Sequence, residues 1–242
     1  MIEVSNLHKR FDQHEILKGV NLRIETGQTF ALIGGSGNGK SVLLKHIIGL
    51  LKPDRGSIMI GNQDISRLRG KKLKALKNRL GIVFQFGALF DSLTIYENVA
   101  FPLKEKTKLS EPQIREKVFK ELKSVHLFDD RDKYPAQISG GMRKRVALAR
   151  CLIMDPEIIF FDEPTTGLDP VIAKMIYNTI RSLQEERKLT ALIVSHEIPG
   201  IFQIVDRVAM LHDGKIIATG TPEEIQACGN TTVQRFLKGE LE

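Results

Sequence analysis

One eight-residue segment, residues 34–41, restricts the fold of this chain more than any other part of the sequence. It reads Gly-Gly-Ser-Gly-Asn-Gly-Lys-Ser and fits the pattern G-x-x-x-x-G-K-[ST], in which the backbone N–H groups of a glycine-rich loop surround a phosphate. The apolar run of residues 29–33 precedes the segment, and a helical run of residues 42–48 follows it. This order predicts an α/β fold whose first helix points its N-terminus at a phosphate group.

Two residues at the end of the segment extend the interpretation to a nucleotide and its metal ion. Lys40 can reach the β- and γ-phosphates, and the Ser41 hydroxyl can bind Mg²⁺. A dinucleotide-binding loop is excluded, because G-x-G-x-x-G starting at Gly35 would need a glycine at position 40. A simple glycine-rich helix cap is disfavoured, because a strand, eight motif positions and a helix all stand in register.

Polar residues follow three apolar runs that we interpret as buried parallel strands. Residues 158–161 are four large apolar residues, and Asp162 and Glu163 come directly after them. His196 and Gln85 each follow another run of this kind. Because ligands bind at the carboxyl ends of parallel strands, we expect Asp162 to hold Mg²⁺, and Glu163 and His196 to orient an attacking water. A solvated Asp-Glu-Pro turn is the alternative, and the phosphate loop upstream argues against it.

The composition indicates one globular chain with an anionic partner. The 242 residues are 42% hydrophobic, which is enough for a sizeable core. Thirty-six Lys and Arg against 29 Asp and Glu give a net charge of +7, which favours nucleotide, nucleic acid or an anionic membrane surface as the partner.

Cys151 and Cys228 are isolated, so a disulfide framework has no support. We find neither a leader-like start nor a membrane-spanning run, and expect another chain to supply any span.

The distribution of apolar runs predicts how the lobes are arranged. Polar turns separate short β-rich runs at residues 2–7, 20–24, 29–33 and 57–60, and this pattern predicts a partly antiparallel start. From Ser41 onward, helical patterns alternate with compact apolar runs, which predicts a mainly parallel core sheet. Residues 93–155 carry charged helical patterns and predict an inserted helical lobe. We therefore predict a single α/β domain over residues 1–242, with an N-terminal antiparallel β lobe and this helical insertion.

A short segment before the acidic strand resembles the signature sequence of ABC-type ATPases; it reads Ser139-Gly140-Gly141-Met142-Arg143-Lys144-Arg145. Phe11 resembles the family's adenine-stacking aromatic residue, Gln85 its glutamine loop, His196 its switch histidine, and residues 167–169 its dimer-interface loop. The resemblance covers nearly the whole chain and implies a P-loop NTPase cassette that hydrolyses ATP with Mg²⁺. It also implies a head-to-tail dimer, in which one signature closes on the γ-phosphate held by the other subunit.

The motifs and the resemblance together imply a role for each candidate residue. The implied nucleotide-binding residues are Phe11, Gly34, Gly35, Ser36, Gly37, Asn38, Gly39, Lys40, Ser41 and Val42. The implied catalytic residues are Lys40, Gln85, Glu163 and His196, and the implied Mg²⁺ ligands are Ser41, Gln85 and Asp162. The signature residues Ser139, Gly140 and Gly141 would contact the partner's ATP, and Asp169 would lie at the dimer interface. A helix that begins at these glycines offers free N–H groups and a positive dipole end to an anion.

Two stretches resemble one subgroup of this family. Residues 85–90, Gln-Phe-Gly-Ala-Leu-Phe, and residues 97–103, Glu-Asn-Val-Ala-Phe-Pro-Leu, are similar to the ATPases of MCE-associated phospholipid transporters of the Mla type. Met142, where many ABC signatures have Gln, is similar to the same group. The resemblance implies integral membrane permease subunits, an MCE-type lipid-binding protein, and a peripheral place at the cytoplasmic face of the bacterial inner membrane. Ordinary packing of the helical lobe, which receives the coupling helix of a permease, also explains these stretches.

Other classes of ATPase share these motifs. An amino-acid or lipoprotein transporter ATPase would differ only in partner and cargo. A DNA-repair or chromosome-organising ATPase would insert a long coiled coil, whereas this helical lobe is short and has no sustained heptads. The basic run of residues 67–79 lacks interleaved aromatic residues, so a solvated helix face is favoured over contact with nucleic acid or anionic lipid. We therefore expect no direct nucleic-acid partner.

Overall fold

The structure, a computed structural model, describes residues 1–198 and 200–240 of the chain. Within these residues, ten strands form two sheets. The strands are β1 (Ile2–Phe11), β2 (His14–Ile24), β3 (Thr29–Ile33), β4 (Arg55–Ile60), β5 (Gln63–Asp64), β6 (Leu80–Val83), β7 (Ile158–Asp162), β8 (Thr190–Val194), β9 (Arg207–His212) and β10 (Lys215–Gly220). The helices are α1 (Lys40–Ile47), α2 (Gly70–Lys77), α3 (Ile95–Lys106), α4 (Glu111–Ser124), α5 (Gly140–Leu152), α6 (Pro170–Arg187), α7 (Pro222–Gln226) and α8 (Thr231–Leu237), with 3₁₀ turns at Pro135–Gln137 and Gly200–Gln203.

The first sheet is antiparallel, with the strand order β2-β1-β4-β5. β1 and β2 form a hairpin in which Phe11 pairs with His14. Asp12 takes the positive φ of +50° that so tight a turn needs. Ile2 and Val4 of β1 are buried, so one face of this sheet packs on the core and the other faces solvent.

The second sheet carries the functional site. Its strand order is β10-β9-β3-β8-β7-β6, in which β10 alone runs antiparallel to its neighbour. Phe30 and Leu32 of β3 face a core shared with α1 and the first sheet, and Ala31 and Ile33 face a core under α5 and α6. Because the other five strands are parallel, their carboxyl ends lie along one edge of the sheet.

The helical lobe has a core of its own, formed by α3, α4 and one face of α5. Thr94 begins α3 with a capping box, in which its hydroxyl accepts from the Glu97 N–H and the Glu97 carboxylate accepts from the Thr94 N–H. The buried Asn98 bonds to both backbone groups of Phe90, with its Oδ1 atom 2.9 Å from the Phe90 nitrogen. These contacts attach the segment that follows β6 to the helical lobe.

The predicted fold class is confirmed: a mainly parallel core sheet, an N-terminal antiparallel sheet and an inserted helical lobe are all present. β1 and β2 extend beyond the predicted residues 2–7 and 20–24, because their hairpin ends are polar and exposed. β10 was not predicted, since it is an edge strand whose residues are only partly buried. The domain boundaries, residues 1–242, stay a prediction.

Candidate active site

A cavity of about 700 Å³ lies where four neighbouring strands end. The phosphate loop, residues 34–41, follows β3, and Gln85 follows β6, while Glu163 and His196 follow β7 and β8. The parallel strands bring these residues to one sheet edge, as the sequence predicted. The cavity is lined by Phe11, Ile16, Gly35, Ser36, Gly37, Gly39, Lys40, Ser41, Val42, Gln85, Glu163, His196, Phe236 and Gly239.

The conformation of the phosphate loop requires glycine at two positions. Gly34 has a φ of +146°, and a Cβ atom there would lie 2.2 Å from the carbonyl oxygen of Leu211. Gly39 has a φ of +96° and is the N-cap of α1. The Asn38 Oδ1 atom accepts a hydrogen bond of 2.8 Å from the Asp213 N–H, which ties the loop to the turn between β9 and β10. The loop therefore presents its N–H groups and the N-terminus of α1 to an anion.

Lys40 is buried inside the phosphate loop, with 7% of its surface exposed. Its Nζ atom donates to the carbonyl oxygens of Gly34, at 2.7 Å, and Gly35, at 2.9 Å. Burial lowers the pKa of Lys40, and the nearby carboxylates of Glu163 and Asp162 act in the opposite direction. Because an ammonium group has three N–H donors, the two loop carbonyls leave one for a phosphate oxygen.

Asp162, the last residue of β7, carries a buried oxygen atom, Oδ1, that lacks a hydrogen-bond partner among the described residues. Burial raises the pKa of this carboxyl group, and the adjacent Glu163 raises it further, while Lys45 and Lys40 lower it. An unpaired buried acceptor costs free energy unless a ligand supplies a partner. A bound cation would supply that partner, and carboxylate oxygen is a ligand that Mg²⁺ accepts.

Glu163 forms the second half of the acidic pair and points at His196. The distance between Glu163 Oε2 and His196 Nδ1 is 2.7 Å, and the Thr166 hydroxyl donates to the same Oε2 atom at 2.9 Å. The Glu163 side chain is 13% exposed and the His196 side chain 49% exposed. Glu163 also has a φ of +53°, a conformation that non-glycine residues adopt where the surrounding structure enforces it. Its N–H donates to the Val194 carbonyl at 2.9 Å, which holds the backbone in place.

Most of the predicted nucleotide-binding residues line the cavity. Phe11 is 41% exposed at its wall, so its ring is accessible for stacking on a base. Gly34, Asn38 and Asp162 do not line the cavity themselves but are adjacent in sequence to residues that do.

Four predicted residues lie elsewhere on the chain: Ser139, Gly140, Gly141 and Asp169. Ser139 is exposed and caps α5, with its hydroxyl accepting the N–H of the third helical residue at 3.2 Å. Gly141 is buried against α6, where a Cβ atom would lie 2.6 Å from Ile172 Cγ2. A single chain thus assembles the phosphate loop and the acidic pair in one place and leaves the signature segment outside it.

Sequence reasoning missed several residues around the cavity. Phe236 and Gly239 line it from α8 and the turn that follows, a long-range contact with no local signal in the sequence. Lys144, on α5, is 8% exposed and donates to the carbonyl oxygen of Gln85. The sequence did contain a signal for Lys144. It stands on the apolar face of α5, three residues after Gly141 and four before Leu148, where a charged residue is unusual.

The glycine-rich loop at a helix N-terminus, faced by two carboxylates and a histidine, defines a P-loop nucleoside triphosphatase. Residues 17–166 match the family model described as ABC transporter. The chain therefore belongs to the ABC transporter family and is an ATP-binding cassette of that family.

Curated relatives match along almost the whole chain. The chain is 41% identical over 240 residues to the intermembrane phospholipid transport system ATP-binding protein MlaF of Haemophilus influenzae, with 99% of this chain and 91% of that protein covered. It is 42% identical over 238 residues to the probable ribonucleotide transport ATP-binding protein mkl of Mycobacterium leprae, with 98% and 69% covered. It is 40% identical to the histidine/lysine/arginine/ornithine transport ATP-binding protein HisP of Escherichia coli, with 99% and 98% covered.

Solved structures share the fold. A dimeric ATP-binding cassette in a post-hydrolysis state, bound to ADP and phosphate, superposes with a TM-score of 0.83 at 33% identity, covering 92% of this chain and 99% of that one. The cbiO1 protein of Clostridium perfringens, part of an ABC transporter complex, has a TM-score of 0.87 at 35% identity, covering 93% and 90%.

The predicted enzyme class is confirmed: the chain is an ABC-type ATPase subunit that binds and hydrolyses ATP. ATPases of this family act as dimers with membrane permease partners. Throughout residues 1–198 and 200–240, every helix falls short of the length and apolar character that crossing a membrane requires.

Proposed function

We propose that Glu163 and His196 prepare the water that attacks the γ-phosphate of ATP. The observation that carries this proposal is the 2.7 Å contact between Glu163 Oε2 and His196 Nδ1, beside the phosphate loop. A carboxylate held by a histidine and a hydroxyl is oriented to accept a proton from water. Lys40 places its remaining N–H against the phosphate oxygens and stabilises the negative charge that develops in the transition state.

Mg²⁺ fits the same site, with Asp162, Ser41 and Gln85 as its protein ligands. The buried Asp162 oxygen, which has no hydrogen-bond partner within residues 1–198 and 200–240, supports this assignment, and Ser41 and Gln85 both line the cavity. When bound, the ion would neutralise charge on the β- and γ-phosphates. Ser41 stands at the second position of α1, so its hydroxyl is close to the phosphate-binding N–H groups.

The complete site needs a second copy of the chain. Ser139 is exposed at the N-terminus of α5, where free N–H groups and the helix dipole favour an anion. Within one chain this terminus does not line the cavity. This supports a head-to-tail dimer in which the terminus contacts the nucleotide bound by the partner. Ser139, Gly140 and Gly141 of one subunit would then contact the γ-phosphate held by the other, with Asp169 at the interface.

The proposed cargo is phospholipid, moved by an integral membrane permease together with an MCE-type lipid-binding protein. This proposal follows from the relative named as an intermembrane phospholipid transport ATP-binding protein and from residues 85–90 and 97–103. Phe86 is 83% exposed, and Phe90 and Phe101 are also exposed with their ring centroids 4.8 Å apart. We propose that these three rings receive the permease, which would place the chain peripherally at the cytoplasmic face of the inner membrane.

A second candidate is an amino-acid transporter ATPase. The 40% identity to HisP over nearly all of both chains favours it, and the ATP chemistry would be the same. The permease and the substrate-binding protein choose the cargo, so the two candidates differ only in the partner.

The test is affinity purification of the tagged chain from native membranes, with mass spectrometry of proteins and lipids. The phospholipid proposal predicts a polytopic permease, an MCE-type protein and bound phospholipid. Phe86→Ser should lose the permease while keeping ATP binding, and Leu50→Ser, which alters another exposed apolar residue, should retain it. A permease with an amino-acid-binding protein would favour the second candidate, and DNA or ribosomes without a permease would refute the transport role.

A further inference from the structure

The helix that follows the signature residues also holds the loop that carries Gln85. Gly87 packs closely against α5: a Cβ atom at this position would lie 3.3 Å from the Ala147 Cβ atom. Arg150 donates to the carbonyl oxygens of Gly87, at 2.7 Å, and Ala88, at 2.8 Å. Lys144 donates to the Gln85 carbonyl oxygen. Two cations of one helix thus bind three carbonyl oxygens within residues 85–88 of this loop, those of Gln85, Gly87 and Ala88.

Lys144 extends this connection to the acidic pair. Its Nζ atom lies 3.4 Å from the Glu163 carbonyl oxygen, so one ammonium group bridges the segment after β6 and the segment after β7. Lys144 is 8% exposed, and burial lowers its pKa, while the carboxylates of Glu197, Glu163 and Asp162 oppose that shift. A buried ammonium group is costly unless its donors are paired, so its carbonyl contacts are constrained in geometry.

We propose that Lys144 is a positioning residue for hydrolysis, which joins the loop carrying Gln85 to the backbone of Glu163 and so couples the position of α5 to the catalytic carboxylate. The proposal rests on the proposed catalytic role of Glu163. Ser139 is the N-cap of the same helix, five residues before Lys144. A movement of the signature segment would therefore change the position of Glu163 through the Lys144 side chain. Phe86 lies in the same loop and is 83% exposed. A permease bound at Phe86 would therefore also affect the position of Glu163, through the loop and Lys144.

The experiment measures ATP turnover, ATP affinity and thermal stability of the full chain with Lys144→Met and Lys144→Arg. Met keeps most of the stem and removes the donors, so kcat should fall about 10-fold while KM changes less than about 2-fold. Arg restores a cation with several donors and should recover at least about half of the wild-type kcat. The melting temperature of Lys144→Met should stay close to that of the wild type, because the removed cost of burying a charge offsets the lost hydrogen bonds to the two carbonyl oxygens.

Lys120→Met is the matched control, because Lys120 is an exposed lysine on α4 and its removal should leave kcat unchanged. An unchanged kcat in Lys144→Met would overturn the proposal. A loss of kcat that comes with a lower melting temperature and that Arg does not rescue would also overturn it, since it would show a structural role. Glu163→Gln is assayed in parallel: normal turnover there would refute the catalytic role of Glu163, independently of the Lys144 result.

A second readout follows the loop directly. The chain contains no tryptophan, so Phe86→Trp introduces a single tryptophan next to Gln85, which can be excited selectively over the three tyrosines. Addition of ATP and Mg²⁺ should change its emission, and Lys144→Met should reduce that change at saturating nucleotide. An equal change with and without Lys144 would refute the coupling.

Discussion

Asp162 and Glu163 are adjacent carboxylates in different environments, and the difference suits two different tasks. Asp162 has a buried oxygen with no partner in the described residues and a raised pKa, whereas Glu163 is held by His196 and the Thr166 hydroxyl. Neighbouring acids with distinct surroundings are typical of sites that divide metal binding from proton transfer. Successive side chains of a strand point to opposite faces, and the positive φ of Glu163 ends that alternation directly after β7.

Glu163→Gln should lower kcat by roughly 10²–10⁴-fold, because the amide cannot accept the proton of the attacking water. ATP binding should survive, so the variant should accumulate as an ATP-bound dimer, which gel filtration detects. Glu157→Gln is the control, since Glu157 is an exposed carboxylate paired with Arg79. Turnover close to wild type in Glu163→Gln would remove this residue from the mechanism.

Asp162→Asn should make the nucleotide-free protein more stable at pH 7 while abolishing Mg²⁺-dependent hydrolysis. The native pKa of Asp162 lies above its ordinary value of 3.8, so folding at neutral pH carries a penalty for burying the charged form. That penalty is absent below the ordinary pKa and grows as pH rises through the native pKa. The melting temperature difference between variant and wild type should therefore be positive at pH 7 and vanish in acid. A variant less stable than wild type at pH 7 would contradict this.

At the scale of elements, two helices near the acidic strand begin with polar caps that also have proposed roles in the dimer. Ser139 caps α5 and Asp169 caps α6, where the Asp169 Oδ1 atom accepts from the N–H groups of Val171, at 3.0 Å, and Ile172, at 3.1 Å. α5 and α6 meet where Gly141 packs against Ile172. The caps therefore have a local structural role in each chain, in addition to any contact with a partner.

The two roles of Asp169 can be separated with a pair of variants. Asp169→Ala removes the cap and should lower the free energy of unfolding by about 1 kcal/mol. Asp169→Asn keeps a capping oxygen and should change stability by only a few tenths of a kcal/mol. If the Asp169 charge acts at the dimer interface, Asn should still impair ATPase activity at low protein concentration. Chemical denaturation and concentration-dependent ATPase assays provide the two measurements.

For the whole molecule, the proposed head-to-tail dimer would make hydrolysis depend on assembly. The phosphate loop and Glu163 line one cavity, and the signature segment begins outside it. A head-to-tail pair has two equivalent sites, each built from both chains. If the proposal is right, a folded single chain should turn over ATP slowly.

Mixing Lys40→Ala with Ser139→Ala tests this assembly. Each variant alone damages both sites of its own dimer, whereas a mixed dimer keeps one intact site, formed by the phosphate loop of one chain and the signature of the other. A 1:1 mixture should recover about a quarter of the wild-type activity if subunits exchange freely and the sites act independently. Activity no higher than that of the separate variants would argue for a site completed within one chain.

Much of this architecture could be predicted because its signals are local. The phosphate loop is a contiguous motif, and the parallel strands are short, fully apolar runs that end in polar residues, as at residues 158–163. β10 was not predicted, because it is a half-exposed edge strand whose register is set by pairing with β9. Phe236 reaches the cavity from the far end of the chain, which no periodicity reveals.

The sequence by itself determined the fold class, the phosphate loop and the identities of the acidic pair, because contiguous residues carry each of them. The tertiary structure decided what depends on residues far apart in the chain. These features are the 2.7 Å contact of Glu163 with His196, the burial of the Asp162 oxygen away from any partner in the described part of the chain, and the Lys144 bridge from Gln85 to Glu163. The physical reason is that hydrogen bonds and desolvation depend on neighbours in space, and strand order in the parallel sheet sets those neighbours.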